Sequence, residues 1–246
     1  VALFITFEGV EGSGKTSQIR RLKNYLNRRG IPCVTTREPG GTAIGEKIRK
    51  ILLHRDHRGM APLSELFLYE AARAQHVREV IKPLLKKSGV ILCDRYADAS
   101  VAYQGHGRKL SPALVEMLNR IGTEGIRPTV TFLLDCPSGL GLKRARRRNW
   151  RNKRTKQDRF EREKIQFHQR VRAGYRSLAR SEPDRVKVID TRQGEKKVFE
   201  EIRKIVEGMI RSRRSRVQEV KGPRGPGFKG LQNRGCKGRR VQGFNP

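Results

Sequence analysis

Acidic residues are scarce in this sequence. It holds 24 Asp and Glu against 56 Lys and Arg, a formal charge of +32 over 246 residues. Cysteine is scarce too: Cys33, Cys93, Cys136 and Cys236 form no C-x-x-C pair, and three of them sit in apolar or strand-like surroundings. That pattern reads as buried free thiols in a reducing cytoplasm. No apolar run reaches membrane-spanning length, so the expectation is a soluble, cytoplasmic protein with no membrane partner. The first residues open directly into an apolar strand, without the basic, apolar and small-residue blocks of a signal peptide. The five histidines show neither H-E-x-x-H nor Cys/His metal spacing, G-x-S-x-G is absent, and nothing repeats. Zinc-protease and serine-hydrolase chemistry are left without a candidate.

The basic excess is concentrated. Residues 211–246 carry +10 and residues 143–164 carry +9. Such charge predicts nonspecific attraction to nucleic acid or acidic membranes without making either the function. The length suits one sizeable domain with a buried core, or at most two small ones.

Apolar runs at Leu3–Phe7, Cys33–Thr36, Val90–Cys93, Val130–Leu134 and Val186–Ile189 read as five strands. Helical periodicity separates them, over Lys15–Arg29, Gly45–Leu53, Leu63–Lys87, Pro112–Arg120 and Lys197–Ile210. Continuous apolar strands alternating with helices predict an α/β fold with a five-stranded parallel sheet covered on both faces. After Ser212 the chain turns to Gly, Pro, Arg and Lys. The expected organisation is a domain over 1–212 and a disordered basic tail over 213–246.

Gly9-Val10-Glu11-Gly12-Ser13-Gly14-Lys15-Thr16 matches G-x-x-x-x-G-K-[ST] between a strand and a helix. In this P-loop NTPase arrangement, backbone N–H groups of Gly9 to Ser17 and the helix N-terminus face the phosphates of ATP. Lys15 reaches the β- and γ-phosphates, and the Thr16 hydroxyl ligands Mg²⁺. Glu11 puts a carboxylate in the middle of a polyanion site, which calls for an explanation.

"TREPGGTAIGEKIR" (Thr36 to Arg49), "YEAAR" (Tyr69 to Arg73) and "CDRYADASVAYQG" (Cys93 to Gly105) closely resemble bacterial thymidylate kinases. The likeness runs from about Leu3 to the last helix near Ile210, with Ala99 where many members have a second serine and Tyr69 where members commonly have Phe. The resemblance implies transfer of the ATP γ-phosphoryl group to dTMP, making dTDP for dTTP synthesis, by a homodimer. It implies that Ser100 and Gln104 read the thymine ring and that Tyr103 packs where a ribose 2′-hydroxyl would sit. It also implies that Arg49 and Glu38 serve the acceptor, and that Glu11 accepts from its 3′-hydroxyl. Tyr69 and Arg73 stand four apart on one helix face, so a ring can stack on a pyrimidine while a guanidinium donates to its 4-carbonyl. Arg95 follows the third strand, where open α/β sheets bind ligands, and is the candidate for gripping the acceptor phosphate. Asp94 beside it is expected to hold Mg²⁺ through water.

The basic stretch from Arg144 to Glu163 reads either as a nucleic-acid surface or as a mobile kinase lid over about 144–160. The phosphate loop has no arginine of its own, so the catalytic arginine is expected from the lid, with Arg148 and Arg154 as candidates. Asp158 and Glu161 in "DRFE" are expected to face the sugar and metal region together. The rival readings are another nucleoside or nucleotide kinase, and a nucleic-acid-binding P-loop ATPase.

Overall fold

The computed structural model describes residues 2–87, 89–151 and 158–220. Arg154 and the segment 221–246, with Cys236, lie outside the described residues. The chain divides into two units, Val1–Ile205 and Val206–Pro246. The strands are β1 (Leu3–Glu8), β2 (Cys33–Arg37), β3 (Val90–Asp94), β4 (Val130–Asp135) and β5 (Val186–Asp190). All pair in parallel, in the order β2-β3-β1-β4-β5.

The helices are α1 (Lys15–Arg28), α2 (Ala43–Leu53), α3 (Pro62–His76), α4 (Lys82–Leu85), α5 (Ala97–Ser100), α6 (Pro112–Thr123), α7 (Ser138–Arg151), α8 (Ile165–Ser181) and α9 (Glu195–Val220). This is the expected α/β arrangement, a parallel sheet flanked by helices. Continuous burial holds for β1 and, up to the last residue, for β3 and β4, which lie inside the sheet. At the edges it fails, with Val34 on β2 and Val188 on β5 exposed, because each edge strand has a neighbour on one side only.

Three helical stretches differ from the periodicity reading. The single helix expected over Leu63–Lys87 is broken by a π-helical turn, Val77–Ile81, before α4. Pro83 supplies the reason: it lacks an N–H and its ring crowds the carbonyl one turn back, which a wider turn relieves. A second π-helical segment, Val101–Gly107, follows α5 and carries Tyr103 and Gln104. The last helix, α9, continues past Ile210 to Val220 and so crosses the position where the tail was expected to start.

Register sets up the site. β1 and β3 pair with Phe7 opposite Asp94, and β2 and β3 pair with Arg37 opposite Asp94. Past these positions the Arg95 N–H donates to the Phe7 carbonyl at 3.0 Å and the Glu38 N–H to the Asp94 carbonyl at 2.9 Å. Three loops therefore leave the sheet side by side at its C-terminal edge, where open α/β sheets hold ligands.

Candidate active site

Those loops, α7 and the turn at Phe160–Arg162 enclose a cleft of about 870 Å³. Glu11 through Ser17 line it, and Gly9 and Val10 are buried. Two glycines shape the loop. Gly12 has φ of 71°, and a Cβ there would collide with the Gly141 carbonyl of α7. Gly14 caps α1 in the left-handed region, φ 99°, a conformation that side chains disfavour. The leading N–H groups of α1 have no carbonyl ahead of them in the helix, which makes the loop an anion cradle.

Lys15 is buried and donates from Nζ to the carbonyls of Gly9 at 3.0 Å and Val10 at 3.1 Å. Burial, followed by the nearby Arg95 charge, lowers its pKa to about 8. Thr16 Oγ1 donates to Asp94 Oδ2 at 3.1 Å. Two hard oxygen groups thus stand together beside the phosphate loop. Among the described residues no three His, Cys, Asp or Glu converge on a metal position. Mg²⁺ does not require such a cage, since it keeps several waters and takes one or two protein oxygens with substrate phosphates.

Arg95 sits at φ 70°, an uncommon conformation for a side chain of this size. Its guanidinium donates to Tyr175 Oη at 3.0 Å, Tyr103 Oη at 2.9 Å and Glu11 Oε1 at 3.1 Å. The Tyr103 hydroxyl also donates to Glu11 Oε1, at 2.5 Å. Burial pushes the Glu11 carboxyl up, but His168, Arg95 and Lys15 together hold it well below the usual carboxylate range. Glu11 is therefore turned away from the loop's own N–H groups and toward the far wall of the cleft.

That wall carries Glu38, Arg49, Tyr69, Tyr103 and Gln104. Arg49 donates to the Pro39 carbonyl at 2.8 Å. Arg73 and Ser100 lie off the wall. Arg73 is 1% exposed, and its five N–H groups meet Glu38, Glu70, Asn119, the Tyr96 carbonyl and Ser100. Two carboxylates raise its pKa against burial. Sharing a helix face with Tyr69 does not bring Arg73 to the same surface, because Glu38 and Glu70 draw the guanidinium inward.

On the basic side, Arg144, Arg148, Asn149 and Glu161 line the cleft. Arg148 lies 3.5 Å from Glu161 and keeps its side chain largely in solvent. Burial, with Glu11 nearby, pushes the Glu161 carboxyl up. Asp158 does not join Glu161 on the wall. Its carboxylate is taken by Arg162 at 3.0 Å and faces Arg55 at 3.6 Å, because the chain here is a short turn and not an α-helix with a shared face.

Several site residues belong to no motif. Glu8 ends β1, wholly buried, and accepts from the Tyr96 N–H at 2.7 Å and the Tyr175 hydroxyl at 2.6 Å. Burial raises its pKa to about 8. Its signal was an acid closing an apolar strand. His168 on α8 places Nδ1 3.3 Å from Glu11 Oε2, close but not aligned for a hydrogen bond. Glu65 and Tyr175 carry no signal in the linear sequence beyond being single polar residues, and Arg159 lies inside the "DRFE" stretch, which points to its two acids only.

The family model for thymidylate kinase matches residues 7–202. The chain is 52% identical to the thymidylate kinase of Geotalea uraniireducens (strain Rf4), over 78% of this chain and 90% of that protein. It is 53% identical to the thymidylate kinase of Desulfosudis oleivorans (strain DSM 6200 / JCM 39069 / Hxd3), over 76% and 88%. Among solved structures, the crystal structure of thymidylate kinase from Ehrlichia chaffeensis superimposes with a TM-score of 0.66 at 32% identity, covering 84% of this chain and 98% of that one.

Proposed function

The chain belongs to the thymidylate kinase family and phosphorylates dTMP to dTDP with ATP as donor, and we propose which of its residues carry each part of that reaction. The triphosphate lies on the N–H groups of the phosphate loop, with Lys15 leaving the Gly9 and Val10 carbonyls for the β- and γ-phosphates. The oxygen pair of Thr16 and Asp94 fits Mg²⁺, which when bound offsets charge on the phosphate oxygens. Arg95 grips the acceptor phosphate and Arg49 assists from the wall. The acceptor phosphate is the nucleophile and is already ionised at pH 7, so the site needs no general base. Of the two lid arginines that line the cleft, Arg144 and Arg148, we assign Arg148 to the transferring group.

On the acceptor side Tyr69 stacks on the base and Gln104 reads its edge. Arg73 donates to the 4-carbonyl in exchange for one of its present bonds, to Ser100 or to the Tyr96 carbonyl. Tyr103 fills the place of a 2′-hydroxyl, and Glu11 accepts from the 3′-hydroxyl. One observation carries this reading most directly: Glu11 leaves the phosphate loop to pair with Arg95 across the cleft.

Initial rates with ATP and dTMP, dUMP, dCMP or thymidine, each with and without DNA, test it. The expected result is phosphorylation of dTMP above the others with no effect of DNA. Nucleic-acid-stimulated ATP hydrolysis without dTDP would point to the ATPase reading.

We further propose a homodimer. Leu63 and Phe67 on α3 and Met117 and Ile121 on α6 are exposed apolar residues, and the two helices pack on each other. A second copy covers them, and Phe67→Glu should shift the mass in solution from dimer to monomer. No described helix is long and apolar enough to cross a membrane. The free thiols of Cys33, Cys93 and Cys136 suit the cytoplasm, the compartment proposed here.

A further inference from the structure

Gln104 lines the cleft, and one end of its carboxamide is tied down. Nε2 donates to Glu65 Oε1 at 2.8 Å. A carboxylate only accepts, so the end of the amide that meets it is the NH₂. Glu65 stands on α3 at 0% exposure, and two guanidiniums hold it from other sides. Arg108 donates to it at 3.0 Å and 3.2 Å, and Arg159 lies 2.7 Å away. Turning the amide over would set its oxygen against the Glu65 carboxylate, acceptor against acceptor. The carboxamide oxygen of Gln104, Oε1, has no partner in the chain among the described residues, so the acceptor end is the one left for a ligand.

Thymine and cytosine differ at ring N3 in just this sense. Thymine carries an N–H there, a donor, whereas cytosine has a bare acceptor nitrogen. We propose that Glu65 is a specificity-determining positioning residue: it fixes the Gln104 carboxamide with Oε1 toward the cleft, so that the site accepts bases with a proton on N3. This rests on the reading of dTMP as acceptor. Arg73, the other base-reading candidate, has all five N–H groups engaged by the protein. Gln104 is the reader whose free end is already set. A buried polar group that matches one partner rejects the other because the mismatched pair stays unsatisfied.

The test compares kcat/KM for dTMP and dCMP in wild type, Glu65→Gln, Gln104→Leu and the double variant. A glutamine at 65 offers either end of its amide, which frees Gln104 to turn and donate to cytosine N3. Glu65→Gln should therefore narrow the dTMP-to-dCMP ratio on the order of tenfold, the scale of one base-reading hydrogen bond. Gln104→Leu should lose more with dTMP than with dCMP, and Glu65→Gln should not change the ratio further in that background. A purely structural Glu65 would weaken both substrates alike and leave the ratio unmoved, which overturns the proposal. If Glu65→Gln does not fold, Gln104→Leu decides alone: an equal loss, or a larger loss with dCMP, overturns it. Wild type that fails on dTMP altogether would overturn the kinase reading itself and this inference with it.

Discussion

Glu11 Oε1 accepts a hydrogen bond from Arg95 Nη2 at 3.1 Å, joining the phosphate loop to the end of β3. The pairing explains why a carboxylate sits in a polyanion site. On the proposed reading the loop binds phosphate through its backbone, which leaves the side chain at this position free for the second substrate. Lys15 and Arg95 offset its charge. Arg95, Tyr103 and His168 surround the carboxylate on the cleft side, which on the proposed reading takes the acceptor sugar.

Arg73→Ala should raise KM for dTMP and narrow the preference over dCMP, by roughly 1–3 kcal/mol for one base-reading contact. It should also lower Tm, because Glu38 and Glu70 lose a buried partner, a change that costs on the order of 3–5 kcal/mol. Steady-state kinetics beside a thermal melt separates the two effects. Equal weakening of both substrates together with the lower Tm would assign Arg73 to the fold alone.

Glu8 makes stability depend on pH in a definite direction. Its folded pKa is raised to about 8 by burial, above the ordinary 4.5. Between those values the unfolded chain has released the proton and the folded chain still binds it, so stability falls as pH rises through that window. Denaturant melts of wild type and Glu8→Gln from pH 4.5 to 8 should show the difference in ΔG declining for wild type relative to the variant. A flat difference would mean that Glu8 titrates alike in both states.

Removing residues 221–246 should leave kcat for dTMP nearly unchanged while reducing salt-sensitive binding to DNA. The segment is rich in Lys, Arg, Gly and Pro, and cationic contacts to phosphate release counterions and weaken with salt. Filter binding at two salt concentrations and the kinase assay read the two halves separately. A large loss of kcat in a folded truncation would make the segment part of the enzyme.

What could be read in advance was whatever lies close along the chain. The phosphate loop, the five strands and the stretch around Asp94 and Arg95 are defined by neighbouring residues, and strand register then places them together. Partners far apart in sequence were not legible. Glu65 meets Arg159, and Glu11 meets His168, across separations that no spacing rule spans. For the same reason helical spacing put Arg73 on the face of Tyr69 but could not show two carboxylates drawing it inward. The break in the long helix has a local cause, Pro83, that apolar periodicity does not register.

The most direct test of the acceptor's placement pairs Glu11→Gln with dTMP and its 3′-deoxy analogue. With wild type, loss of the 3′-hydroxyl should cost on the order of 1.5–3 kcal/mol in kcat/KM, the worth of a hydrogen bond to a charged group. Glu11→Gln should lose a similar amount with dTMP, keep its ATP affinity, and lose little further with the 3′-deoxy analogue. Equal losses with both acceptors, or a collapse of ATP affinity, would contradict a Glu11 that leaves the phosphate loop to hold the acceptor sugar.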